Sequence, residues 1–140
     1  MNTSESPKLL RIALIAVGVI FFAGIYPLTI VWPEGWAWHH TGQSMYLQTI
    51  LGVYATLGIF LILASRDPLA HRSLIWFAVW SSVVHGAIMA AQSIVYPEHR
   101  GHLYGDVPAL LIVAAVLTIL TPRRASAILS GDNSRQAYPR

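Results

Sequence analysis

The chain has 140 residues, of which 55% are hydrophobic and 11% charged, with a formal net charge of +3 and no cysteine. A soluble domain carries roughly 25% charged residues and needs polar faces on its helices, so this composition excludes an ordinary water-soluble bundle. The missing cysteine excludes disulfides, thiolate metal sites and thiol redox relays, and the basic excess does not indicate nucleic acid, because Lys and Arg flank apolar runs instead of forming one patch.

Residues 12–33, 35–65, 73–97 and 107–122 contain no Asp, Glu, Lys or Arg. A helix rises ~1.5 Å per residue, so roughly 20 apolar residues cross a hydrocarbon core ~30 Å thick. The pattern predicts an all-α, antiparallel four-helix transmembrane bundle.

In chain order, residues 1–8 read as a polar tail. The first span covers 9–31. Its apolar run is longer than the ~7–15 residues of a signal-peptide core and lacks an A-x-A site, so it is expected to be retained. Pro27 is expected to kink or end it. A loop rich in Trp, His and Gly leads to the second span, 44–64. Asp67-Pro68 is a stop-and-turn signal, and the third span covers 73–95. The next loop holds Pro97, Glu98, His99, Arg100 and His102. Asp106 is expected to cap the fourth span, 106–121, with Pro108 in its first turn. That span is short; Tyr104 and Gly105 extend it, or the bilayer thins to meet it. Residues 123–140 read as a polar, disordered tail.

Eight of the nine Lys and Arg residues (Lys8, Arg11, Arg66, Arg72, Arg123, Arg124, Arg135 and Arg140) fall on the side of the two tails and the middle loop, and only Arg100 falls on the other. Positive charge stays inside, so both termini are expected on the cytoplasmic side. Trp32, Trp36, Trp38, Tyr26, Tyr46, Tyr96 and Tyr104 gather at the outer boundary, where amphipathic rings prefer to sit. Small residues are expected to form packing seams: Ala16 and Gly24 on span one, Gly52, Thr56 and Gly58 on span two, and Ala78, Ser82, Gly86 and Ala90 on span three. A homodimer seam, or a seam for a membrane-complex partner, is the alternative use.

Two groups of polar residues are candidates for function. Ser81, His85, Met89, Gln92 and Tyr96 share about 80° of arc on span three. Polar groups at that depth need a partner or a wet cavity, so the stripe should face inward. With Tyr54 opposite, Ser81, His85, Met89 and Gln92 make a candidate ligand pocket; Gln48, Thr49 and Thr56 are further companions on span two. The plainer reading of His85 is a neutral side chain bonded to a hydroxyl or carbonyl. The second group is an outer-face cluster of Glu34, His39, His40, His99, His102 and Asp106, with Glu98 nearby. His99-x-x-His102 has metal-ligand spacing, but adjacent His39-His40 rarely bind one ion and no HExxH signature is present, so no metal is expected. Asp106 has three readings: a helix cap, an ion pair with Arg100, or an acid–His site with His102 or His39. Span three offers only His85 as a titratable group in mid-membrane, which argues against a transmembrane ion or proton pathway.

The segments Gly52-Val-Tyr-Ala-Thr-Leu-Gly-Ile-Phe-Leu, Ala64-Ser-Arg-Asp-Pro68, His71-Arg-Ser-Leu, Val84-His-Gly-Ala-Ile-Met-Ala and Gly105-Asp-Val-Pro-Ala resemble a family of small bacterial four-span membrane proteins of unknown function, across most of residues 9–122. More distantly, the Gly-x-Tyr-x-x-x-Gly span followed by an Arg-x-Pro turn looks like DoxX-like proteins. That likeness implies a four-helix membrane fold and, for some members, a link to quinone-coupled oxidoreductases. It is architectural and does not transmit function.

Two functions are therefore expected to compete. One is a non-enzymatic protein that binds a lipophilic molecule or lipid in the bundle, or serves as an accessory subunit. The other is a redox component or enzyme with an outer-face His/acid site. The cofactor is open. An epitope placed after Arg140 is expected to be unreachable from outside intact cells, and the chain to need detergent for extraction; surface labelling of intact cells at that epitope, or release without detergent, would overturn the orientation or the class.

Overall fold

In a computed structural model, the described residues are 6–37 and 44–122. They form α1 (Ser6–Val19), a π-helical turn (Ile20–Gly24), α2 (Ile25–Val31), α3 (Pro33–Trp36), α4 (Met45–Ala64), α5 (Arg72–Val95), a 3₁₀ segment (Pro97–Leu103) and α6 (Asp106–Leu120). Four stretches, Lys8–Val31, Met45–Ala64, Arg72–Val95 and Pro97–Leu120, are long and apolar enough to cross a membrane. The fold is all-α, and no strand occurs among the described residues.

Each boundary has a local cause. Ser44 caps α4, its Oγ accepting from the Leu47 amide at 3.2 Å. After α4 the Asp67 carboxylate accepts from the Ala70 amide and tightens the turn into α5. Tyr96 is forced into an extended conformation by the following Pro97, which stops α5. Pro108 sits in the first turn of α6, where its missing N–H costs nothing.

Pro27 does not end the first span. It cannot donate to a carbonyl four residues back, and its ring crowds that carbonyl. The helix widens just before it: the Ile25 amide reaches back five residues to the Ile20 carbonyl, making the π-turn, and the helix then runs on to Val31.

The helices pack in the cyclic order α4–α1–α6–α5. The α5–α6 and α1–α4 pairings are the most extensive, while α4 and α5 touch little and leave a groove between them. The core is built from Leu10, Leu14, Val17 and Phe21 on the first span, Leu61 on α4, Ile75, Ala78 and Val79 on α5, and Ala114 and Leu117 on α6. Outside it, large apolar side chains such as Ile12, Phe22, Phe77, Trp80 and Ile119 are exposed. Such a girdle is stable only against hydrocarbon.

The seams follow the small residues in part. Ala78, Ser82 and Gly86 are buried, and Gly86 lies against Val107, Leu110 and Leu111. The α1–α4 crossing is made by Gly58 with Gly18, which the sequence pattern did not single out. A Cβ at Gly58 would stand 2.5 Å from the Gly18 carbonyl oxygen and 2.7 Å from the Phe22 nitrogen. Gly52, expected in a seam, has nothing within 4 Å; Gly24 meets only Ile20 of its own helix, and Ala16 is exposed. Those three do not contribute to packing inside the bundle.

Replacing Gly58 by Leu should therefore cost about 1–3 kcal/mol or more through overpacking. Gly52→Ala should stay within about 0.5 kcal/mol of wild type, as surface changes do. Unfolding of the purified protein in mixed micelles measures both, and equal costs would contradict the assigned crossing.

Candidate functional site

The site begins at the face where α2, α3, the 3₁₀ segment and the start of α6 meet, opposite the face holding Lys8 and the α4–α5 turn. α6 has only 15 residues, a rise of ~22 Å, which is less than a ~30 Å core. The 3₁₀ segment supplies the rest. It packs on α5, α3 and α6 and closes this end of the bundle as a cap. Two glycines let it approach: Gly101 lies against the Glu34 backbone and Gly105 against the Gly35 carbonyl, so close that neither position has room for a Cβ. The two loops thus meet backbone to backbone. The expected extension of the short span through Tyr104 and Gly105 takes this form and not that of a longer helix.

Beneath the cap His102 is 1% exposed, and its Nδ1–H donates to Asp106 Oδ2 at 2.8 Å. The i,i+4 spacing brings the two together across the junction of the 3₁₀ segment and α6. Asp106 is not the helix cap. Gly105 occupies that position without a side-chain bond, and Asp106 is the first residue of α6. There its carboxylate still benefits from the positive end of the helix dipole, and its other oxygen, Oδ1, is buried with no hydrogen-bond partner among the described residues. The Asp106 carboxylate meets His102, and no ion pair with Arg100 forms among the described residues.

The second pair lies deeper. His85 is ten residues from the Val95 end of α5, ~15 Å along the axis. Tyr54 Oη and His85 Nδ1 hydrogen bond at 2.7 Å and link α4 to α5 where those helices otherwise touch little. The tautomer decides which of the two donates. Tyr54 is held by Phe21 of the π-turn, edge-to-face at 4.9 Å, and its ring stands 5.6 Å from that of His85.

The remaining candidates divide. Met89 is buried against Val107 and Leu110, with Tyr54 packed on the same cluster. Ser81 is half-buried and donates to its own helix at the Ala78 carbonyl. Gln92 and Tyr96 are exposed, so the stripe turns outward at its upper end. The face that actually turns inward on α5 passes through Ser82, Gly86, Met89 and Ser93, and the hydroxyls of Ser82 and Ser93 are buried without a partner among the described residues. Of the outer cluster, Glu34 is exposed, His99 is half-buried with its ring centroid 6.1 Å from that of His102, and His39 and His40 lie outside the described residues. No group of three or more His, Cys, Asp or Glu able to hold a metal together occurs among the described residues.

The open groove between α4 and α5 has a volume of about 560 Å³. Val53, Leu57, Phe60, Leu74 and Phe77 make its walls apolar. The hydroxyls of Thr49 and Thr56, also lining it, are turned back onto the Met45 and Gly52 carbonyls of their own helix. The groove therefore offers hydrocarbon surface in the same turns of α4 that carry Tyr54.

A family model matches residues 4–139, and the chain belongs to that family, described as a family of unknown function (DUF6632). No curated protein and no solved structure matches the chain.

Removing one partner of a buried hydrogen bond leaves the other polar group unsatisfied, at a cost of about 1–3 kcal/mol. His102→Leu and Asp106→Leu should each destabilise by an amount of that order. The double variant should cost less than the two singles together by more than about 0.5 kcal/mol, as coupled sites do. Additive costs in a double-mutant cycle would show that the pair is not coupled.

Proposed function

We propose that this is a multi-pass protein of the bacterial inner membrane that binds a lipophilic small molecule or lipid, with its apolar body in the α4–α5 groove and its polar head at the Tyr54–His85 pair. The observation that carries this reading is the coincidence of the two features. A groove lined by Val53, Leu57, Phe60, Leu74 and Phe77 runs between α4 and α5, the same two helices that the Tyr54–His85 hydrogen bond joins at 2.7 Å. Ligand sites are mostly apolar with a few convergent polar groups, and this arrangement has that composition. In hydrocarbon an unpaired polar head is costly, so a hydroxyl or carbonyl would be drawn to a polar pair at the α4–α5 seam. The groove is open along its side, which suits entry from the bilayer.

Such a protein needs no chemistry of its own and can act alone, as a homodimer or as an accessory subunit of a membrane complex. The exposed Gly52, with open space in front of it, would accommodate close approach of a partner helix.

A second reading rests on the buried His102–Asp106 pair at 2.8 Å. An imidazole oriented by a carboxylate is the arrangement used for general acid–base work, and in that reading the protein is an enzyme or redox component acting near its capped face.

A hydrogen bond worth ~1 kcal/mol corresponds to roughly a five-fold change in affinity. Mass spectrometry of lipids retained by gently purified protein should therefore show at least about a five-fold loss of a specifically enriched species in His85→Leu and in Tyr54→Phe, with insertion unchanged. Equal retention by wild type and both variants would exclude the Tyr54–His85 head site.

A further inference from the structure

We infer that the α4–α5 groove holds an anionic glycerophospholipid, with its phosphate at Arg66 and Arg72 and an acyl chain along the apolar walls. This deepens the ligand-binding reading and rests on its groove. It does not rest on the Tyr54–His85 head site, which lies farther along the chain.

The topology brings the two arginines to one end of the groove. α4 ends at Ala64 and α5 begins at Arg72, so the turn between them is the floor of any space between the two helices. Above that floor α4 and α5 touch little. On the α5 wall the lining residue nearest the turn is Leu74, ~3 Å along the axis from Arg72. On the α4 wall it is Phe60, ~6 Å before the helix end at Ala64. Arg66 is exposed, Arg72 is half-buried, and neither forms an ion pair among the described residues. Asp67, the one acid between them, accepts from the Ala70 amide at 3.3 Å.

The groove is also long enough for a chain. The Tyr54–His85 bond sets the two helices level with one another at those residues. From Leu74 up to His85 is ~16 Å, and from Tyr54 on to Thr49, the α4 lining residue farthest from the turn, is a further ~8 Å, so the groove runs roughly 24 Å. One leaflet is about half of a ~30 Å core, so the walls cover a chain from the headgroup level to past the midplane. Val53, Leu57, Phe60, Leu74 and Phe77 offer it hydrocarbon, and the Thr49 and Thr56 hydroxyls bond within α4.

Charge selects an anion at the turn. α1 runs antiparallel to α4 and crosses it where Gly18 meets Gly58, which brings Arg11 and Lys8 to the level of Ser65 and Pro68. Among the described residues, Lys8, Arg11, Arg66 and Arg72 thus stand at this end against Asp67. Histidines aside, the capped end has the opposite balance, with Glu34, Glu98 and Asp106 against Arg100. A guanidinium presents a fork of N–H donors that fits two phosphate oxygens at once. Basic pockets between membrane helices recognise anionic headgroups in this way.

The test is native mass spectrometry of the full chain released from micelles that contain equal amounts of phosphatidylglycerol and phosphatidylcholine with the same acyl chains. The wild type should retain phosphatidylglycerol in preference. Arg66→Gln and Arg72→Gln should each lower that preference about five-fold, the contribution of one basic residue at an anionic headgroup. Gly52→Trp fills the groove from a position with open space before it and should lower retention of both lipids. An unchanged preference in the Arg66→Gln/Arg72→Gln double variant overturns the site. So does an equal loss in Lys8→Gln or Arg11→Gln, which would show a diffuse charged face, and so does full retention by Gly52→Trp, which would place the lipid outside the groove. Tyr54→Phe and His85→Leu separate the two ideas. Phosphatidylglycerol held by those variants but lost from the arginine variants keeps the turn site whatever becomes of the head site; the converse keeps the head site and removes the turn site.

Discussion

A polar group surrounded by hydrocarbon gains most from a hydrogen bond inside the protein, and that constraint shapes much of this fold. The apolar girdle excludes water as a partner along most of the four long helices. Threonine and serine hydroxyls answer by turning onto carbonyls of their own helix, as Thr29, Thr49, Thr56 and Ser81 do. The aromatic hydroxyl of Tyr54 cannot reach its own backbone. It needs a neighbour, and His85 supplies one. A bond of this kind is also a positional device: it ties α4 to α5 across the seam with the least packing in the bundle.

The same constraint explains the cap. A 15-residue α6 leaves backbone below the surface that a longer helix would have satisfied internally. Irregular backbone at such depth is tolerated only when protein covers it. The 3₁₀ segment is covered by α3, and Gly101 and Gly105 are what allow the two backbones to touch. Once the segment is drawn inward, His102 is carried with it to 1% exposure, and a buried imidazole beside the first residue of α6 meets a carboxylate there. The His102–Asp106 pair is thus a consequence of shortening one helix. Likewise the π-turn, which accommodates Pro27, places Phe21 against Tyr54. Two local irregularities, one forced by a proline and one by a short helix, set the two ends of the site.

Much of this was legible in the sequence because charge and apolarity are one-dimensional signals. Uncharged runs gave the all-α architecture, Ser44 and Pro97 marked helix ends, and His85 stood out as the one titratable residue in its run. What could not be read were the contacts between runs. Gly18 carries no more signal than Gly24 or Gly52, yet only Gly18 meets Gly58, since crossing points depend on how the helices rotate about their axes. The stripe on α5 was misphased for a similar reason: the inward face runs through Ser82, Met89 and Ser93, leaving Gln92 outside. Asp106 before an apolar run has every mark of a cap, and only the inward path of the 3₁₀ segment, permitted by glycines whose role is invisible without their partners, converts it into the partner of His102. His39 and His40 lie outside the described residues.

The bond between Tyr54 and His85 ties the α4–α5 seam together and, in the proposed reading, also offers a polar edge to the groove between those helices. Those two roles pull in different directions. A pair that served packing alone would be better replaced by two apolar side chains of similar volume, because desolvating a hydroxyl and an imidazole offsets most of what their bond returns. Apolar replacements would also let α4 and α5 close on one another, removing the groove. Keeping the polar pair ties α4 to α5 across the groove at the length of one hydrogen bond. The cost in stability is rational only where the opening and its polar edge are used, which is the physical ground for reading the pair as a site and not as a strut.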